Sequence, residues 1–491
     1  MFERITPEQA GISSRAVTRF IRKLNERGLA AHSVVLMRGD SIFGEFYWKP
    51  FDRDFGHRMY SVTKSFVGIA IGMLCDDGML SLDDTIASFF PDKVDGELPA
   101  HLARQTIRDM LTMSTCGRTP YWFTDPDPDR THLYLNRNSA HRPSGMCFEY
   151  DSPGSQVLCA LVERLTGKAF FDFMNERLFS RMGTFKNATL LKTRTEDSFG
   201  DSSMICTTRD VASFARLLMN GGMWNGEQLV SADYVRAATS MQVDCDEIGF
   251  DAFSTHGYGY QIWRLRDGFF FNGMGCQFVF CLPALDLIFA INSDNQGYAA
   301  AGALIEAAFY DFIVDEMQDA PLPADPQAYA ECEALADSLE LMHIQGPAHS
   351  AFERELDGRL YLCDDNPTGI TQFSLSFAGD AGVLRYVNAQ GEKELRFGLG
   401  RNEFGKFPQL GYSDEHAGAV TTNGFMYDCA CSAAWREERK LLIKVQVIDR
   451  YLGTMLAMFS FKDDCAVVRM VKTAENFLNE YQGEFCARAK A

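Results

Sequence analysis

Met59-Tyr60-Ser61-Val62-Thr63-Lys64-Ser65-Phe66 is the stretch on which the reading of this chain turns. It leads into an apolar run, Phe66 to Cys75, that reads as a buried helix. Residues three apart share a helix face, so Ser61 and Lys64 are expected to project together. A hydroxyl beside an amine makes a nucleophile when the neutral amine takes the hydroxyl proton. Alone, Ser-x-x-Lys is a short pattern that a chain of this composition meets by chance about once. Its meaning depends on whether the rest of the sequence supplies a second proton-handling group, an oxyanion hole and a wall strand.

Working outward, 491 residues are too many for one ordinary domain and predict two or at most three. Apolar content of 46% and charged content of 23% are those of a globular chain with a full core. The 47 basic and 66 acidic residues leave a net charge of −19, a surface that repels phosphate backbones and anionic lipid. Nucleic acid and membrane are therefore not expected as partners. The first residues show no basic stretch followed by an apolar segment, so no secretory signal is expected. The fourteen cysteines are scattered, with no Cys-x-x-Cys, and read as reduced thiols of a cytoplasmic protein. Cys429 and Cys431 form the one close pair, with no histidine nearby, so neither a metal site nor a cofactor is expected.

A helix is predicted from Pro7 to Leu29, followed by a hairpin of strands at Ser33–Met37 and Ser41–Tyr47. The Ser61 helix should stop at Asp76-Asp77-Gly78, and Thr106–Met113 reads as a short helix. Residues 117–147 read as a loop with Tyr121, Trp122, Phe123 and Tyr134 interspersed, either a site wall or a packed excursion. Its Asp125, Asp127 and Asp129 read as a solvated acidic run rather than a cation site. Residues 153–188 and Val211–Met219 are predicted helical. Strands follow at Tyr258–Arg264, Phe269–Phe271, Phe278–Leu282 and Leu287–Ile291, then a helix at Ala299–Val314. Strands at both ends around a helical middle predict a mixed domain, residues 1–316, whose sheet joins its two ends. Pro321, Pro323 and Pro326 mark a linker, 317–341 including a connecting helix. From 342 to 491 the pattern turns to period two, as at Phe373, Leu375 and Phe377, and predicts an antiparallel sandwich or small barrel.

Phe148-Glu149-Tyr150-Asp151-Ser152-Pro153-Gly154 offers the second proton-handling group, since a phenol beside an ammonium exchanges protons readily. With it a resemblance comes into view. The Ser61 block, Gly78-Met79-Leu80-Ser81-Leu82-Asp83-Asp84, Thr106–Ser114, Phe148-Glu149-Tyr150, Leu161–Gly167 and Tyr258-Gly259-Tyr260 occur in this order at suitable spacing. Together they resemble the serine β-lactamase and penicillin-binding-protein-like hydrolases over about residues 5–315. Within them, the chain is similar to the class C β-lactamase-like esterases, D-aminopeptidases and 6-aminohexanoate-dimer hydrolases.

The resemblance implies an α+β fold, an antiparallel sheet flanked by helices plus an all-helical lobe, with the site between them. It implies Ser61 as acylated nucleophile, Lys64 as its activating amine and Tyr150 as proton shuttle. The C-terminal region is similar to the accessory β-barrel, lipocalin-like in outline, that some of these hydrolases carry. Two departures narrow the chemistry. The Tyr-x-Asn element reads Tyr150-Asp151-Ser152, so Ser152 stands where an amide would orient a lactam carbonyl. The Lys-Thr-Gly element falls at Phe271-Asn272-Gly273, followed by Met274, whose N–H is expected to complete the oxyanion hole with that of Ser61. With Asn272 where a lysine would meet a substrate carboxylate, the expected substrate is a small ester or amide uncharged at its acyl-side terminus. A non-catalytic binding or regulatory protein, a β-lactamase, or a D-Ala-D-Ala carboxypeptidase are the alternatives. Substrate identity, the role of the C-terminal domain and oligomeric state are not legible in the sequence.

Overall fold

Strands from the two ends of the first 300 residues meet in one seven-stranded sheet. They are β1 (Glu3–Arg4), β2 (Ala31–Arg38), β3 (Ser41–Tyr47), β4 (Trp263–Leu265), β5 (Gly268–Gly273), β6 (Gln277–Leu282) and β7 (Leu287–Ser293), in the order β1-β3-β2-β7-β6-β5-β4. The join is the antiparallel pair β2–β7, from Ser33 opposite Asn292 to Arg38 opposite Leu287. The computed structural model describes every residue except Met1, Tyr121, Trp122, Thr124, 246–255, Asp414, 417–424 and Ala491. Tyr121 and Trp122, expected in a wall loop, thus lie outside the described residues.

Because β6 and β7 are buried on both faces, they read as continuous apolar runs, and alternate residues serve two cores. On one face, helices α1 (Ser14–Glu26) and α7 (Ala301–Phe309) pack Phe20 and Phe309 against Phe289, with ring centroids 5.4 and 4.7 Å apart. On the other, α2 (Thr63–Asp76) and α6 (Thr208–Met219) bring Phe66 and Phe214 together at 4.1 Å, and Phe214 onto Phe271 at 5.5 Å. Every residue of α2 from Thr63 to Leu74 is buried, which is why its sequence is apolar all round. Each such large side chain contributes roughly 1.5–3 kcal/mol by leaving water.

The helical lobe adds α3 (Ile107–Leu111), α4 (Arg130–Arg137) and α5 (Ser152–Thr166). α3 starts at a capping box in which Thr106 and Asp109 exchange side-chain bonds to each other's backbone N–H. The loop expected over 117–147 contains α4. Asp125 and Asp127 each accept a backbone N–H two residues on, and Asp129 caps α4 through Thr131 and His132 N–H. The three aspartates are turn and cap residues, and among the described residues no cluster suited to a metal ion occurs. The first helix begins at Ser14, its N-cap Ser13 accepting from Ala16 N–H, so Pro7–Ala10 turn before it rather than extend it.

The chain divides into two units, Met1–Glu340 with Glu415–Ala417, and Leu341–Asp414 with Gly418–Ala491. Helix α8 (Pro326–Ser338), expected in the linker, belongs to the first unit, with Cys332 and Leu339 buried in the same core as α1. The prolines at 321 and 323 mark irregular backbone, but they do not reveal that the helix after them packs back.

The second unit is a barrel of β8 (Leu360–Cys363), β9 (Gln372–Ala378), β10 (Ala381–Asn388), β11 (Gly391–Leu399), β12 (Glu403–Lys406), β13 (Asp428–Glu437), β14 (Lys440–Ile448), β15 (Leu452–Lys462), β16 (Cys465–Ala474) and β17 (Gly483–Ala489). The order is β11-β10-β9-β8-β17-β16-β15-β14-β13-β12, and a short parallel pair, Gly398 opposite Ser432 and Leu399 opposite Ala433, closes nine of them into a ring. Buried aromatics fill it: Tyr361 stacks on Phe373 at 5.1 Å, and Phe459 meets Phe373 at 5.2 Å. A ring of this size is about what side chains can fill. All fourteen cysteines are free thiols. Among the described residues no helix is long and apolar enough to cross a membrane.

Candidate active site

Ser61 does not sit within α2 as the spacing predicts. It occupies a single 3-10 turn, Tyr60–Val62, immediately before the helix, and the Ser61–Lys64 pairing survives because that turn runs straight into it. Tyr60 has φ 47°, a left-handed conformation that costs a non-glycine residue about 1–3 kcal/mol. The surroundings hold it there. The Thr63 hydroxyl donates to the Tyr60 carbonyl at 2.6 Å and accepts the Met204 N–H at 3.0 Å. The Arg58 guanidinium lies 4.5 Å from the Tyr60 ring centroid and donates to the Ser202 carbonyl. His57–Arg58 and Met204–Cys206 pair as antiparallel strands, so the Ser61 turn and the 201–206 segment are stitched together on both sides.

Lys64 is 1% exposed. Its Nζ donates to Ser61 Oγ at 3.0 Å and to the Asp201 main-chain carbonyl at 2.7 Å. Both partners are neutral oxygens. The same Nζ lies 5.2 Å from the centroid of the Tyr150 ring, so Ser61, Lys64 and Tyr150 are brought to one place.

Tyr150 arrives there on a short segment pinned at both ends. Glu149 N–H donates to Met113 O at 2.8 Å, and Asp151 N–H points at Met113 Sδ at 3.5 Å. Asp151 then caps α5 by accepting Gly154 N–H at 3.0 Å. The Tyr150 ring stacks on Trp263 of β4, centroids 5.7 Å apart and planes 15° from parallel, and Phe148 and Tyr258 buttress Trp263 from its edges. Glu149 is held by Arg118 and by Arg142. Ser152 is the first residue of α5, half-buried.

The turn between β5 and β6 forms the neighbouring wall. Gly273 lies against the backbone just before Ser61: a Cβ there would overlap the Met59 carbonyl oxygen. That close approach is the reason for glycine. Met274 follows at the exposed corner, 37% accessible. The fully buried Gln277 side chain fixes the turn, donating to Met274 O at 2.8 Å and Ser293 O at 2.6 Å and accepting Ser293 N–H. Ser293 Oγ donates to the carbonyl of Gly275 at 2.7 Å. Burial pushes the Cys276 thiol up to about 12, which leaves it protonated. Phe271, which begins the Phe271-Asn272-Gly273 stretch, is wholly buried with its ring against Phe214. Asn272 is half-buried opposite Phe278, so neither residue brings a cation to this wall.

Two residues outside the sequence prediction tie these parts together. Gln261, at φ 61°, is buried between three helices. Its Nε2 donates to Met110 O and Leu111 O, its Oε1 accepts from Ser155 Oγ at 2.6 Å, and its carbonyl accepts from Ser65 Oγ at 2.9 Å. The other is Asp201, whose carbonyl orients Lys64. Neither carries a local signal, because each acts through partners more than a hundred residues away.

The beta-lactamase family profile matches residues 17–309 of the chain. The chain is 26% identical over 247 residues to the 6-aminohexanoate-dimer hydrolase of Paenarthrobacter ureafaciens, covering 47% of this chain and 63% of that protein. It thus spans under two thirds of the length of the curated relatives it matches. The beta-lactamase/D-alanine carboxypeptidase of Yersinia pestis, solved with citrate, superposes with a TM-score of 0.51 at 15% identity, over 62% of this chain and 97% of that one. SurE, solved with D-Leu, gives 0.50 at 14% identity, over 87% of this chain and 96% of its own. At such identities these structures speak to the fold alone.

Proposed function

Because the chain belongs to the beta-lactamase family, we propose that it is a serine hydrolase cleaving a small ester or amide through an acyl-enzyme on Ser61. The observation that carries this reading is the 3.0 Å contact from the buried Lys64 Nζ to Ser61 Oγ, with a main-chain carbonyl as the amine's other partner. In its neutral form Lys64 takes the Ser61 hydroxyl proton as Oγ bonds to the substrate carbonyl carbon. The carbonyl π pair moves onto oxygen, where the Ser61 and Met274 N–H groups receive it. Collapse of that intermediate breaks the bond to the leaving alcohol or amine, which leaves with a proton passed from Lys64 through the Tyr150 hydroxyl. Water then repeats the sequence on the acyl-enzyme, returning Ser61 and the free acid.

The preferred substrate is uncharged at its acyl-side terminus. The lack of a lysine in Phe271-Asn272-Gly273, with Asn272 where one would meet a carboxylate, and Ser152 in the amide place support this, and they argue against efficient lactam turnover. The acidic surface supports a small-molecule substrate, in the cytoplasm, rather than nucleic acid or membrane.

The test is a fluorophosphonate probe followed by peptide mass spectrometry. The adduct is expected on Ser61, lost in S61A and slowed at least 10²-fold in K64M. An adduct on any other serine overturns the mechanism. Hydrolysis of p-nitrophenyl esters and N-acetylated D-amino-acid amides should exceed that of benzylpenicillin. It should also exceed that of the linear 6-aminohexanoate dimer, the compound named for the Paenarthrobacter relative, which carries an ammonium on its acyl side. Penicillin turnover matching that of the esters would remove the substrate assignment.

A further inference from the structure

We propose that Asp151 is a positioning residue for Tyr150, and that its ionised form holds the phenol at Ser61 and Lys64. The inference rests on the reading of Tyr150 as the proton shuttle. Asp151 is buried beside Tyr150 in the chain, and its carboxyl joins a hydrogen-bond chain inside the helical lobe. Gly154 N–H donates to one oxygen at 3.0 Å, and the Tyr134 hydroxyl, from α4, donates to the other at 3.1 Å. The Tyr134 oxygen accepts from Gln105 Nε2 at 2.9 Å, and Gln105 Oε1 accepts Cys116 N–H at 2.8 Å. Gln105 and Tyr134 have no exposed surface, so this chain has no water to exchange with.

The directions of these bonds select the carboxylate. Gly154 N–H and the Thr115 and Tyr134 hydroxyls all face Asp151 as donors, and the start of a helix favours negative charge. If the carboxyl carried a proton, that O–H would need an acceptor where Tyr134 now donates. Turning the Tyr134 oxygen into the acceptor strands its own hydrogen, because Gln105 already occupies its other side with a donor. Protonation therefore costs the Tyr134 bond and loosens the hold on the segment that carries Tyr150, while the other Asp151 oxygen still accepts Gly154 N–H.

The titratable groups around Asp151 are Tyr134 on α4, Cys116 after α3, and Glu149 on its own segment, the last neutralised by Arg118 and Arg142. Burial, with a smaller push from Glu149, raises the Asp151 carboxyl to about 6 against the stabilising bonds from Gly154, Thr115 and Tyr134. The switch between the holding and the releasing form thus falls within the working pH range of an ordinary enzyme.

The experiment is the second-order rate of Ser61 labelling by the fluorophosphonate between pH 5 and 8 in the wild type, D151N, Y134F and Y150F. In the wild type, log rate against pH should steepen by one unit of slope below about pH 6, a further tenfold loss per pH unit. Asn remains a good N-cap, so D151N should keep the helix start while losing that break. Y134F removes a donor to the carboxylate, so the break should move to higher pH. A break kept near pH 6 in D151N overturns the proposal, as does an unmoved break in Y134F, which decides the matter should D151N fail to fold. Y150F separates the two readings. If it labels as fast as the wild type, the role of Tyr150 is wrong whatever Asp151 does. If Y150F is slow and D151N keeps the break, only the role of Asp151 is wrong.

Discussion

Gly273→Ala isolates the contact between the β5 wall and the nucleophile turn. The φ of Gly273 lies outside the left-handed region, so alanine meets no backbone penalty and any effect is steric. Its methyl would overlap the Met59 carbonyl oxygen and sit 3.0 Å from Gln277 Cβ, against a comfortable carbon separation of about 3.5–4.0 Å. Met59 is fastened by its N–H to Met204 O at 2.8 Å, and Gln277 is locked by three hydrogen bonds, so neither neighbour yields cheaply. Relief requires the strand end to move away from Ser61 by roughly 1 Å. Overpacking of this kind costs about 1–3 kcal/mol of stability. A 1 Å displacement of catalytic groups costs on the order of 10²-fold in rate, equivalent to about 2.7 kcal/mol in the barrier. Fluorophosphonate labelling should fall by that factor, and urea denaturation should show the stability loss. Gly405→Ala on β12, where a methyl meets nothing within 4 Å, is the control and should change neither by more than about 0.5 kcal/mol. Labelling of G273A within threefold of the wild type would refute the placement of this wall against the nucleophile.

Gln261→Leu should destabilise by about 3 kcal/mol. It removes three buried side-chain hydrogen bonds, each worth about 1 kcal/mol net, although Leu111 O keeps the Gln261 N–H and Met110 O the Met113 N–H. A loss below about 1 kcal/mol in urea would show that these bonds do not hold the helices together. The pH dependence of stability should show two opposed terms. Burial lowers His57 to about 4, with its Nε2 2.8 Å from His32 Nδ1. The unfolded chain therefore binds the extra proton first, and stability falls as pH drops from about 6.5 to 4. Asp151, raised to about 6, works the other way: stability is lost as pH rises from about 4 through 6. Each is worth about 3 kcal/mol, so D151N should lose more stability on acidification across pH 4–6 than the wild type does. A flat D151N profile would remove the His57 assignment.

Much of this was legible because the chemistry fixes residue types at short spacings. Ser61 and Lys64 three apart, Tyr150 before a helix start, and a glycine where a strand must approach another backbone are all local statements. The strands of the second unit followed from period two and those of the first from short apolar runs, although that at 258–264 shrank to Trp263–Leu265, with Tyr258 making only isolated bridges to Val243 and Trp263. What escaped was set at long range. Helix α4 has only eight residues, introduced by an Asp- and Pro-rich run that reads as loop until Asp129 is seen to cap it. Helix α8 looks like part of a linker because nothing near it says that Cys332 and Leu339 complete the core under α1. The hydrogen bonds of Gln261 and Asp151 depend on partners that only the fold brings near, and a Gln or an Asp in a short turn gives no sign of them.

The pairing of β2 with β7 has a consequence for how the protein comes into being. Ser61 and Lys64 lie on a turn and helix that local sequence alone can begin to form, but Gly273 reaches them only through a sheet whose central ladder joins Ser33 to Asn292. Contacts of such sequence separation form late, after the entropy of closing a long loop has been overcome. A growing or half-folded chain therefore has its serine and lysine near in sequence, without the 201–206 segment that holds them or the wall at Gly273. On the proposed mechanism, reactivity arrives with the last long-range ladder, so the onset of probe labelling would time the closing of the sheet.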